Sequence, residues 1–363
     1  MKIGIITFHC AHNYGAVLQC YALQEHLKLI GHQVEIIDYR PKYLTDPYKL
    51  FEINRIKANN IFKLFKNILR EIIIFPTCYK RYNKFKSFIT NKLNLSIKIK
   101  SNQIPSKYDI YIFGSDQIWN SKLTKGYDDI YFGKFTFPKN NKKYIAYAAS
   151  METNSLSNKC KESLKENLSN FNNISVREEN LVKLLQPLTP NNIQHVLDPT
   201  LLISKQKWTS IAKKPNINKK YVLVYQVRSN TQTINIAKNI AKQIDGIVIE
   251  TVSHPNKKCL NNKYQSASPE EFLGLIKYAE CIITTSFHGT AFSVIFNKPF
   301  YSILLNDGND SRVVSLLNNI GLSNRLINLN DKVEFSSISY DKVIQKLSIL
   351  QEKSFKYINE STT

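Results

Sequence analysis

The chain has 363 residues, with 50 Lys and Arg against 28 Asp and Glu, for a formal net charge of +22. At about 100–200 residues per domain, that length predicts two domains, each able to bury its own core. A hydrophobic share of 43% with 21% charged residues excludes a disordered or collagen-like chain. No window reaches the ~20 apolar residues of a membrane span, and the apolar start ends at Phe8, too short for a signal peptide. The expectation is a soluble, cytoplasmic protein.

Strands alternate with helices along the chain, the pattern of parallel α/β layers. Ile3–Phe8 is an apolar first strand. The polar loop His9-Cys10-Ala11-His12-Asn13-Tyr14-Gly15 then opens a helix whose apolar positions, Val17, Leu18, Tyr21, Ala22 and Leu27, recur at helical spacing. Gly31 stops that helix, and Gln33–Asp38 is the second strand. From Arg40 to Lys100 there are 15 Lys and Arg but only three acids, so more than half of the excess charge lies in one sixth of the chain. With Ile56, Phe62, Leu64, Phe65, Ile68 and Leu69 among its lysines, the segment at about 51–100 reads as amphipathic helices inserted into the first domain.

Tyr108–Phe113 is the next strand and runs into Gly114-Ser115-Asp116-Gln117-Ile118-Trp119-Asn120. Tyr144–Ala148 is a strand followed by a helix over about 156–170, and Ile174–Val176 delivers Arg177-Glu178-Glu179 to a helix start. Val196-Leu197 leads to Asp198-Pro199-Thr200, where Asp198 reads as a turn residue closing a first domain over 1–203. Residues 204–218 form the connection. A second domain, 219–338, restarts with Tyr221–Val227, a helix over 231–243 and the strand Gly246–Thr251. Ser268-Pro269-Glu270-Glu271 is a helix start, with a capping Ser, Pro in the first turn and acids at the positive dipole end. Cys281–Thr285 and Phe300–Leu305 are further strands, Ser311-Arg312 opens a helix, and 339–363 is a terminal helix that could pack back on the first domain. Two Rossmann-like domains facing a cleft follow, since ligands bind at the carboxyl ends of such strands.

Three loops share one design: an apolar strand, a polar turn with Gly, then a helix. In His9–Gly15 the helix N-terminus offers N–H groups to an anion or a sugar hydroxyl, which makes Asn13, Tyr14 and Gly15 substrate-binding candidates. It is neither GxGxxG nor a P-loop. In Gly114–Asn120, Asp116 can accept a hydroxyl proton, Ser115, Gln117 and Asn120 can bind hydroxyls, and Trp119 can offer a flat face to a sugar ring or fill the core. In Ser286–Thr290, His288 can donate to a phosphate or transfer a proton near neutral pH, and Gly289 would let a ligand approach the backbone. Arg177 and Arg312 are candidates for carboxylate or phosphate contacts. The six cysteines show no CxxC pair and no zinc spacing; Cys20 and Cys281 read as buried, and Cys10 is a candidate nucleophile. His26 and His32 are expected at the surface, His195 and His254 have no partner pattern, and neither a metal nor a redox cofactor is called for.

Five of these blocks, in this order, resemble the polysaccharide pyruvyl transferase family over nearly the whole chain. They are Asn13-Tyr14-Gly15-Ala16-Val17-Leu18-Gln19 with Tyr21-Ala22-Leu23; Gly114–Asn120; Ser175-Val176-Arg177-Glu178; Val196-Leu197-Asp198-Pro199-Thr200; and Thr285-Ser286-Phe287-His288-Gly289-Thr290-Ala291. The resemblance implies a GT-B-like fold with the site between the domains. It also implies transfer of the enolpyruvyl unit of phosphoenolpyruvate to a sugar as a pyruvate ketal. Arg177 and His288 match the family's donor-binding or catalytic pair. The chemistry of such a transfer makes Asp116 the candidate acceptor-side base, with Asn13 and Gln117 positioning hydroxyls; the first domain is expected to bind the acceptor and the second the donor. Where some members carry Arg-Leu-His-Ala this chain has Ser-Phe-His-Gly, so Arg312 or Lys298 would replace a missing cation.

Two other functional classes fit part of the pattern. A GT-B glycosyltransferase using a nucleotide sugar fits the two-domain layout equally, with His288 on a diphosphate. A nucleic-acid-binding protein fits the charge alone, but the basic stretch matches no recognition module and the polar loops would have no role. A lipid-linked acceptor would instead give the basic insertion an anionic membrane surface to meet.

Overall fold

A computed structural model describes residues 1–50, 57, 60–99, 103–227, 230–255, 263–305 and 310–363. Cys259, Lys100 and, at the start of the basic stretch, 51–56 with 58–59 lie outside the described residues. The first sheet contains β1 (Lys2–Ile6), β2 (Gln33–Ile36), β3 (Ile110–Asp116), β4 (Lys143–Ala149), β5 (Asn173–Val176) and β6 (Ile193–His195). All pair in parallel, in the order β2-β1-β3-β4-β5-β6. The second sheet contains β7 (Tyr221–Gln226), β8 (Ile247–Val252), β9 (Cys281–Thr284), β10 (Phe300–Leu304) and β11 (Leu326–Asn328), again parallel, in the order β11-β10-β9-β7-β8. The central strands are buried on both faces, which is why Ile3–Ile6, Ile110–Phe113 and Tyr221–Tyr225 read as near-continuous apolar runs. Two Rossmann-like domains, each built on a parallel sheet, is the architecture observed.

Six helices position the site: α1 (Tyr14–Leu29), α2 (Ile61–Lys92), α3 (Pro269–Lys277), α4 (Phe287–Ile295), α5 (Ser311–Ile320) and α6 (Asp341–Thr362). One hydrophobic cluster runs from α1 through α3 and α4, so the domains share a core. Tyr14 stacks on Phe272 at 4.2 Å, and Trp208 packs between Tyr21 and Phe292. Residues 205–211, expected as connection, are therefore a helix, with Trp208 holding it down. In α6, the Tyr357 hydroxyl donates to the Ala146 carbonyl of the first sheet, and Phe355 stacks on His26 at 4.9 Å. That stacking buries His26, which the sequence had placed at the surface.

Among the described residues the basic stretch is one helix of 32 residues rather than several, and it runs through Pro76. Its anchoring starts at the buried Ile74 and comes mainly from its second half. Arg81 lies over the rings of Tyr14 and Phe85 and donates to the Tyr14 hydroxyl and to the Ser253 and Gln265 carbonyls. Lys84 pairs with Glu271 of α3. Among the described residues no helix is long and apolar enough to cross a membrane.

Candidate functional site

In each sheet the strand order reverses once, between β1 and β3 and between β7 and β9, and crevices open beyond the carboxyl ends of strands at such points. All three candidate loops leave those ends: His9–Gly15 after β1, Gln117–Asn120 after β3, and Ser286–Thr290 after β9. They meet around a cavity of about 400 Å³ between the domains. Asn13, Asp116, Gln117, Ser286, His288 and Arg312 all line it.

The N-termini of α1 and α4 open on this cavity from opposite domains. Asn13 caps α1, its Oδ1 accepting from the Gly15 and Ala16 N–H groups; Ser286 caps α4, accepting from the Gly289 N–H. The two helix ends together favour an anionic group between them. Gly15 serves a further end. A Cβ there would lie 2.0 Å from His288 Nδ1 and 2.4 Å from Cε1, so only glycine lets the ring lie against α1.

The floor of the cleft is a charge cluster centred on Asp198. Its Oδ2 accepts from Arg177 Nη1 at 2.5 Å and lies 3.7 Å from His288 Nε2, within ion-pair range but too far for a hydrogen bond. Its Oδ1 accepts from the backbone N–H and the hydroxyl of Thr200. Burial would raise the Asp198 pKa, but His288, Arg177 and Thr200 together hold the carboxyl well below the ordinary range. Asp116 extends the cluster, with Oδ1 3.6 Å from Arg177 Nη2 and a backbone φ of +77°, an uncommon conformation of the kind found at functional sites. Burial opposes the Arg177 charge, yet Asp198, Asp116 and Glu178 raise its pKa. Arg177 also lies over the Phe287 ring at 4.8 Å. Its Nε and Nη2 are buried with no hydrogen-bond partner among the described residues, and so is His288 Nε2.

Arg312 reaches the cleft from α5 and pairs with Glu152, so that ion pair bridges the domains. Behind it Glu178, whose pKa burial raises, accepts from the Ser150 hydroxyl. Lys298, the other candidate for the missing cation, precedes β10 at the opposite end of its strand, away from the cavity.

Several expected contacts instead build the walls. Trp119 is 0% exposed, stacked on Phe132 with its indole N–H donating to the Tyr131 carbonyl, so it supports the loop from the core. The Tyr14 hydroxyl donates to the Ala267 carbonyl and ties α1 to the second domain. Ser115 donates to the Ala148 carbonyl, and Thr290 accepts from or donates to Ser302 and donates to the Ser286 carbonyl; none of these side chains lines the cavity. Gly289 admits Thr284, whose Oγ1 would lie 2.3 Å from an added Cβ, rather than a ligand. His9 is buried against Asp38, and burial pushes the Cys10 thiol up to about 12, which removes it as a nucleophile. His12 is buried among aromatic rings, and its pKa falls to about 4. Arg177 is itself behind the wall, reached through Asp116 and Asp198.

Sequence reasoning missed Asp198 as the centre of the cluster, along with Glu152, Tyr43 and Tyr48 in the lining. Asp198-Pro199-Thr200 is turn chemistry, and one oxygen of Asp198 does cap that turn; the second does the rest.

The polysaccharide pyruvyl transferase family model matches residues 13–307. No curated protein matches the chain. Among solved structures, the chain is similar to UDP-N-acetylglucosamine 2-epimerase from Rickettsia bellii, with 12% identity over 97% of this chain and 88% of that one, and a TM-score of 0.42. The UDP-GlcNAc 2-epimerase from Methanocaldococcus jannaschii gives 14% identity, 97% and 93% coverage, and 0.43. ADP-heptose LPS heptosyltransferase II from E. coli gives 13%, 98% and 100%, and 0.33. TM-scores this low carry neither fold nor function across.

Proposed function

The chain belongs to the polysaccharide pyruvyl transferase family, and from that premise we propose that it moves the enolpyruvyl unit of phosphoenolpyruvate onto a sugar, forming a pyruvate ketal. The acceptor in this reading is a sugar of a capsule or exopolysaccharide, or of its lipid-linked precursor. The enzyme works in the cytoplasm, peripheral to the inner face of the membrane. The observation that carries it is the meeting of Arg177, from the first domain, and His288, from the second, on the single carboxylate of Asp198. Two helix N-termini and Arg312 supply the positive potential that a carboxylate and a phosphate need.

The chemistry assigns roles in order. His288 protonates the methylene carbon of phosphoenolpyruvate, leaving an oxocarbenium-like centre at C2, or holds the phosphate that departs. Arg177 steadies the donor's charge from behind the cavity wall, acting through Asp116 and Asp198. Asp116 takes the proton from the attacking sugar hydroxyl, with Asn13 and Gln117 holding the acceptor. A second hydroxyl then closes the ketal as phosphate leaves. Of the two hydroxyl protons, one ends on the new methyl group and the other on phosphate. Asp198 touches neither substrate; it keeps His288 and Arg177 in place, as a carboxylate behind a catalytic histidine does. The donor binds on the second-domain side and the acceptor on the first.

Incubation with phosphoenolpyruvate and a panel of lipid-linked or soluble glycans, following phosphate release, tests this. Release that depends on acceptor and disappears in His288→Ala is the expected result. Binding and turnover of nucleotide sugars, with none of phosphoenolpyruvate, would replace this reading with glycosyl transfer.

A further inference from the structure

The first half of α2 is amphipathic the wrong way round for a core helix. Its apolar side chains face solvent: Phe62 is 81% exposed, Phe65 69% and Ile72 63%, with Ile61 and Leu69 beside them. At 100° per residue these five positions fall on one stripe, and Lys66, Arg70 and Lys63 lie along one side of it. Over the whole helix eight Lys and Arg face a single acid, Glu71. A contiguous apolar face with charge along its border marks an interaction surface, not scattered exposed hydrophobes.

We infer that this face is a membrane anchor: the first half of α2 lies in the interface of an anionic bilayer, apolar stripe in the acyl boundary and lysines among the headgroups. This deepens the peripheral location in the reading above by naming the segment and the force. Charge alone would hold the chain at the surface loosely; the aromatic side chains insert. Charge complementarity selects the occupant. A second copy of the chain would bring the same cationic rims together, whereas an acidic leaflet neutralises them. The position of the helix supports the same choice. Arg70, Ile74 and Tyr82 of α2 line a cavity of about 270 Å³ that shares Tyr48 and His254 with the catalytic cleft. A lipid-borne acceptor held at this face would therefore lie next to the site.

The test is co-sedimentation of the full chain with vesicles of phosphatidylcholine alone and of phosphatidylcholine with an equal part of phosphatidylglycerol. No donor or acceptor is present, so the outcome is independent of the catalytic assignment. Binding to the anionic vesicles is expected, weakened about fivefold for each of Lys63, Lys66 and Arg70 replaced by Gln. The combined Phe62→Ser, Phe65→Ser and Ile72→Ser variant should lose about 100-fold or more in binding. Because the three side chains are exposed, its melting temperature and its turnover of a soluble acceptor should match the parent. Failure of the folded parent to bind anionic vesicles overturns the inference. So does a parent dimer that the triple variant converts to monomer without any vesicle binding, which would assign the face to a second copy.

Discussion

Gly15→Ala is the smallest change that interrogates the cleft, because it adds one carbon where the structure has no room. The new Cβ would sit 2.0 Å from His288 Nδ1, and ordinary contact begins near 3.4 Å, so the ring must retreat by about 1.4 Å. It cannot retreat freely, since Nε2 already lies 3.7 Å from the Asp198 carboxylate and the ring packs edge-on against Phe287. Overpacking of this kind costs about 1–3 kcal/mol in stability. A misplacement of about 1 Å in a reacting group costs about 100-fold in rate. The assay is acceptor-dependent phosphate release from phosphoenolpyruvate beside a thermal melt of the same preparation. The expected pattern is a modestly lowered melting temperature with a rate loss of about 100-fold, far beyond what unfolding at the assay temperature explains. A variant that retains at least half of the parent rate would refute the placement of His288 against α1.

Four other outcomes follow from the same geometry. Asp198→Asn should destabilise by about 3–5 kcal/mol at neutral pH, because it removes the nearest counter-charge of the buried Arg177. Since the folded-state pKa of Asp198 lies below its unfolded value of about 3.9, the parent should hold this stability above that pH and lose it as pH falls further; denaturant melts across the acid range should show a flatter limb in the variant. Trp119→Ala should cost about 3–5 kcal/mol by equilibrium unfolding, as a core residue does, and a stable variant with only weakened acceptor binding would restore the sugar-platform reading. Glu152→Gln releases Arg312 from its interdomain pair and should tighten phosphoenolpyruvate binding, with Arg312→Ala weakening it by about tenfold, as read by calorimetry. Alkylation followed by peptide mapping should label Cys160, whose pKa is lowered by hydrogen bonds from Ser157 and Tyr127, ahead of the buried Cys10, Cys20 and Cys281.

Strand order cannot be read from one chain, yet the positions of His288, Asn13, Gln117 and Arg312 were legible, because each follows an apolar run and opens a helix. Parallel sheets put such loops on one edge, so the local pattern sufficed. The aromatics defeated it. Tyr14 sits directly beside the lining Asn13 and Trp119 two residues from the lining Gln117, and only the fold decides that their rings turn inward. Asp198 was hidden for a different reason: a turn explains it completely at the level of sequence, and its second oxygen meets Arg177 and His288 only through tertiary contacts. In α2 the hydrophobic positions were visible, but amphipathic periodicity does not say which face meets the core. The anchored half, held by Arg81, Phe85 and Phe88, follows the usual rule, and the free half reverses it.

In the proposed reaction the Arg177–Asp198–His288 cluster serves transfer of an enolpyruvyl unit. Carbon-13-labelled phosphoenolpyruvate, incubated with the enzyme and a mixed glycan acceptor pool and followed by NMR, tests it directly. A new ketal carbon growing in step with inorganic phosphate is expected, absent with His288→Ala and strongly reduced with Arg177→Lys. Unconsumed phosphoenolpyruvate beside turnover of a nucleotide sugar, or ketal formation indifferent to His288, would contradict it.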